Sequence, residues 1–171
     1  YEMNSRLVGS EMCIRDRSGS KSRAETFAII EDLLEFASSL NLKDMESYKD
    51  IADLIDESPI AETMDLHPRD IKALYNLVND DLPLIISANR ASDLLKLIDL
   101  KLKYDLNLII MGAQEAGLVA DKIAKNNIPL IINPINNIPE SFDELAANIE
   151  LAAYLEKQGI TLMFNAPRSH N

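Results

Sequence analysis

Only two histidines, His67 and His170, occur in the chain, and they lie far apart in sequence. A zinc site takes three or four nitrogen, sulfur or oxygen ligands, so this pair cannot supply one. The polar residues able to do chemistry instead gather behind four short apolar runs. Ser87, Asn89 and Arg90 follow the first, Gly112, Gln114 and Glu115 the second, Asn133, Asn136 and Asn137 the third, and Asn165 to His170 the last. Arg90 offers a guanidinium that can grip a carboxylate bidentately or pair with nearby Asp93. Glu115 suits an acid or base, although a negative charge in a helix's first turn is also favoured by the dipole alone. His170 is a candidate substrate or metal contact, or else an exposed loop residue, whereas His67 before Pro68 reads as a helix-entry residue. Ser87 has no histidine base nearby in sequence, which argues against a nucleophilic role. The Asn133 to Asn137 cluster suits turns, and Gly112 to Gly117 lacks the G-x-G-x-x-G spacing of a dinucleotide site.

A parallel sheet would bring these residues together. Pro83 to Ser87, Asn107 to Met111, Pro129 to Asn133 and Thr161 to Asn165 read as strands, with helical segments between them. Ala91 to Tyr104 repeats Leu94, Leu95, Ile98 and Leu102 on one face, and Glu115 to Asn126 repeats Leu118, Val119 and Ile123. Ser141 to Glu144 has the form of a capping box, predicting a helix with Phe142, Leu145, Ile149, Ala152 and Leu155 inward and Gly159 at its end. Upstream, Ser22 to Glu25 forms another such box and opens a helix to about Leu40 that buries Phe27, Ile30, Leu34 and Ala37. Asp44 to Ile55 and Arg69 to Val78 also read as helices. Right-handed crossovers put the C-terminal ends of parallel strands on one face, so the polar residues listed first would share a rim.

The composition sets limits on function. Hydrophobic residues make up 47% and charged ones 26%, the balance of a soluble globular protein. A net charge of −11 argues against a nucleic-acid partner. No apolar run approaches the roughly 20 residues that span a bilayer. The single cysteine, Cys13, cannot form an internal disulfide. At 171 residues the chain also falls short of the roughly 250 that a closed (β/α)₈ barrel needs.

Residues 1–17 show no core periodicity, and LVGSEMCIRD (Leu7 to Asp16) resembles a translated sequencing adapter of the kind found in metagenomic gene sets. The expectation is a disordered, non-native segment over 1–17 and an incomplete barrel domain over 18–171, with the gene continuing upstream.

The segments IISANRASDLLKLI, LIIMGAQEAGLVADKIA, IPLIINPINNIPESFDEL and GITLMFNAPRSHN resemble, in order and spacing, the imidazolonepropionase-like branch of the amidohydrolase superfamily. The resemblance implies an α/β fold, namely a partial (β/α)₈ TIM barrel holding strands five to eight plus N-terminal helices. It implies a parent that hydrolyses C–N bonds of a small molecule using zinc or another divalent metal. The family carries histidines on strands five and six and an aspartate on strand eight. Here Ser87 and Gly112 stand at the first two positions, and no acidic residue follows Glu156. The fragment by itself is therefore expected to be inactive and to hold no metal. Ser87, Asn89, Arg90, Glu115, Asn165 and His170 are its candidate substrate-binding residues. The competing readings are a non-catalytic barrel that binds a small molecule or scaffolds a partner, and an independent flavodoxin-like domain.

Overall fold

The computed structural model describes residues 12–13, 22–40, 59, 61, 66–80, 82–134, 142 and 144–165. The helix expected over Asp44 to Ile55, together with Asn136, Asn137 and His170, lies outside them. Helix α1 (Arg23–Ser39) begins where Ser22 Oγ accepts from Glu25 N at 3.2 Å, and it buries the four residues its periodicity singled out. Helix α2 (Pro68–Asn79) begins at His67, whose Nδ1 accepts from Arg69 N while Asp70 accepts from His67 N. His67 is thus a helix cap, with proline in the first turn where its missing N–H costs nothing. Leu33 and Ala37 of α1 meet Leu74 of α2.

The remaining elements alternate. Strand β2 (Leu84–Ala88) leads to α3 (Ala91–Tyr104) and β3 (Leu108–Gly112). A short 3₁₀ turn (Ala116–Val119) runs into α4 (Ala120–Lys125), followed by β4 (Leu130–Ile132), α5 (Leu151–Lys157) and β5 (Leu162–Phe164). These four strands are the ones the sequence predicts. A fifth, β1 (Met12–Cys13), pairs parallel with Ile86 and Ser87 of β2, in a stretch where no element was expected.

All five strands are parallel, and their order in the sheet is their order in sequence. That order separates the two α/β readings. A flavodoxin-like sheet reverses at a switch point and carries helices on both faces. This sheet never reverses, and it buries one face alone. Leu84, Ile86, Ala88, Leu108, Ile110, Leu130 and Ile132 pack under the helices with Leu94, Leu97, Ile98, Ile123, Leu151 and Leu155. The alternate residues Ile85, Ser87, Ile109, Met111 and Ile131 are only half-buried, and Met163 is exposed. The arrangement is that of an α/β barrel segment, with the half-open face as the would-be interior.

Two helical faces differ from expectation. In α3 the buried set is Leu94, Leu97, Ile98, Leu100 and Tyr104, while Leu102 is exposed. The last turn rotates Tyr104 inward, where its hydroxyl donates to the Glu31 carbonyl at 3.4 Å. Leu118 is exposed because the chain enters α4 through a 3₁₀ turn, whose three-residue period breaks the helical stripe. Gly159, at φ +77°, ends α5 as the sequence predicts.

Polar contacts add to the packing of α1 on α3. Glu31 accepts from Lys103 Nζ at 2.8 Å and pairs with Lys96 at 3.5 Å. The hydrogen bond and charge of Lys103 hold the Glu31 carboxyl below its ordinary value of 4.5. Since folding lowers this pKa, the contribution is complete above that value and disappears as acid carries the pH down through the folded one. Thermal melts of wild type and Glu31→Gln between pH 7 and 3 should therefore differ most at neutral pH and converge in acid.

Candidate functional site

The C-terminal ends of β2 and β3 meet the connection that precedes α5, and two buried carboxylates, those of Glu115 and Glu144, lie there. After β3 the backbone turns sharply through Gly112 and Ala113, both at positive φ (89° and 50°). Ala113 N donates to the Ala88 carbonyl at 2.8 Å, and Glu115 N to the Asn89 carbonyl at 2.9 Å. Those bonds lay the β3 turn against the end of β2. The left-handed alanine is unfavourable by about 1–2 kcal/mol, so the surrounding contacts must enforce it.

Glu115, 8% exposed, spends its carboxylate on backbone donors. Oε2 accepts from Ala91 N, in the first turn of α3, at 2.9 Å, and Oε1 from Ala146 N at 3.3 Å. It thus complements the dipole of α3, a neighbouring helix, while joining a second loop to the rim. Glu144, 6% exposed, accepts from Asn89 Nδ2 at 3.1 Å. The Gln114 amide, with its nitrogen turned toward Glu144, donates to both carboxylate oxygens at 3.0 Å. Because an ionised carboxylate only accepts, Glu144 fixes the Asn89 amide with Oδ1 pointing away. That oxygen is buried without a donor among the described residues, and it lies over Gly112, where a Cβ would stand 2.3 Å from it.

Of the sequence-predicted site residues, Asn89 and Glu115 come together in this cluster. Ser87 lies on the half-open face, in register with Met111. Arg90 is exposed at the start of α3 and makes no ion pair among the described residues, since Asp93 pairs with Arg23 of α1 instead. Asn165 reaches across the half-open face, its Nδ2 donating weakly to Met111 Sδ at 3.8 Å.

Glu144 is the rim residue that sequence reasoning missed. The predicted helix from Ser141 with Phe142, Leu145 and Ile149 inward is corrected: α5 starts only at Leu151, and these three side chains are 85%, 67% and 67% exposed. Turns at 145–146 and 149–150 replace the helix, and Glu144 is the side chain that points inward. The sequence signal was ambiguous, because S-x-x-E marks a capping box but does not say whether the acid turns back on its own helix or reaches another element.

The residues present do not fit a metal. Among the described residues no group of three or more His, Cys, Asp or Glu could hold one. Ser87, Gly112 and Asn165 at the strand ends provide a hydroxyl, a bare backbone and an amide, and both rim glutamates are engaged by N–H donors. The cluster therefore orients and fastens loops.

No family model and no curated protein matches the chain. Among solved structures it is similar to the crystal structure of an amidohydrolase from Thermotoga maritima MSB8, with a TM-score of 0.65 and 17% identity. The likeness covers 90% of this chain and 40% of that one, so the chain spans well under half the length of the protein it matches. At that identity what the two share is the fold. No described helix is long and apolar enough to cross a membrane.

The glycines give a paired test. Gly159→Ala meets open space and should cost about 1–2 kcal/mol for its left-handed backbone alone. Gly112→Ala adds a collision with Asn89 and should cost about 1–3 kcal/mol more. Urea midpoints of the two variants check the order.

Proposed function

We propose that residues 18–171 are the C-terminal half-barrel of an amidohydrolase-type enzyme of the imidazolonepropionase-like branch, and that residues 1–17 are adapter-derived. The parent would hydrolyse a C–N bond of a small molecule with zinc or another divalent metal, using ligands that lie outside this chain. The half-barrel would line the substrate side of the mouth, and alone it would not turn over. The observation that carries this reading is the unreversed parallel sheet, one face packed and one half-open, whose likeness to an amidohydrolase covers 90% of the chain. Within the rim, Ser87, Arg90, Asn165 and His170 would contact substrate, while Asn89 and Glu115 would hold the loops of the rim in place.

A second reading, a non-catalytic barrel that binds a small molecule or scaffolds a partner, draws support from the chemistry of the rim. Its two buried carboxylates are already engaged by N–H donors.

Expressing the contiguous parent gene separates the two. The enzyme reading expects stoichiometric divalent metal and metal-dependent hydrolysis of cyclic or linear amides by the parent, with neither in 18–171 alone. A parent free of metal would leave the non-catalytic barrel.

The half-open face makes a further prediction for residues 18–171. Ile85, Ile109, Met111, Ile131 and Met163 should drive association or dye binding, detectable by light scattering and fluorescence. A monodisperse monomer with a cooperative unfolding transition would overturn the half-barrel reading.

A further inference from the structure

The connection between β4 and α5 is fastened to the rim in an unusual way. Residues 144–150 carry two large apolar side chains, Leu145 and Ile149, and both face solvent, as does Phe142 beside them. By contrast Ile110 and Leu130, in the strands below, are fully buried. Polar bonds attach this stretch to the rim. Glu144 accepts from Asn89 and Gln114, and Glu115 reaches up to Ala146 N. One short segment thereby joins the ends of β2 and β3, residues 55 and 31 positions away in sequence.

Segments that bury little apolar surface open at lower free energy than a packed sheet. We propose that residues 144–150 form a latch over the C-terminal ends of β2 and β3, one that opens as a unit separate from the sheet. Opening breaks the bonds from Glu144 to Asn89 and Gln114 and the bond from Glu115 to Ala146. It bares those three rim side chains to a small polar molecule while the helix-covered core stays closed. The Glu115 bond to Ala91 N lies outside the latch and keeps α3 capped in both states. The inference concerns motion at the rim and holds whether the parent is an enzyme or a binding barrel.

Amide hydrogen exchange on the full chain tests it, and the readout is local whatever the state of association. Peptides covering 144–150 should exchange at least about tenfold faster than those covering β2, β3 and β4. Glu144→Gln, which weakens the hold on Asn89 and Gln114, should speed exchange in the latch by a further factor on the order of tenfold and leave the strands unchanged. Glu115→Gln serves as the second variant and should act in the same sense at Ala146. Exchange of 144–150 in step with the strands in wild type would overturn the proposal. So would variants that accelerate the strands as much as the latch, because the glutamates would then be integral to the global fold.

Discussion

Side chains along a strand alternate between two faces, and in this chain only one of those faces is packed. Leu84, Ile86, Ala88, Leu108, Ile110, Leu130 and Ile132 are held under helices, each leucine and isoleucine worth up to about 1.5–3 kcal/mol of transfer free energy. A one-residue slip of any strand would push that set out and pull Ser87, Met111 or Ile131 in, so burial fixes the register. The same constraint decides where polar chemistry can occur. With every strand parallel and every crossover returning on the same face, all C-terminal ends meet at one rim, and Asn89, Gln114, Glu115 and Asn165 have nowhere else to go.

This logic explains why the sheet was legible in the sequence. Four runs of β-branched and aliphatic residues, each closed by a polar group, specify strands without ambiguity, and the helices between them are long enough to force parallel pairing. The caps were legible too, since Ser22 and Gly159 act through bonds or dihedrals that belong to their own neighbourhood. What escaped were residues whose role depends on a distant partner. Leu102 sits on the expected stripe of α3, but Tyr104 takes the inward position because α1 offers it an acceptor. Asp93, only one helical turn from Arg90, is claimed by Arg23 seventy positions away. Strand β1 is the extreme case, for nothing in the periodicity of Met12 and Cys13 marks them. An open parallel edge on β2 presents unpaired N–H and C=O groups, and such an edge accepts backbone from any sequence that reaches it.

The rim follows the same division. That polar residues collect there could be read from the chain, but what they do could not. Glu115 reads in sequence as an acid over a ligand or a charge on its own helix dipole, and in the structure its carboxylate accepts from Ala91 N of α3 and from Ala146 N. Asn89 looked like a recognition residue, yet Glu144 dictates its orientation and Gly112 makes the room it occupies. Such buried carboxylates are stable only while charge-assisted hydrogen bonds replace the water they lost, each worth about 1.5–3 kcal/mol. Ser87 and Asn165 lie instead on the open side of the sheet, beside Met111. The glutamates determine how rigidly that side is presented.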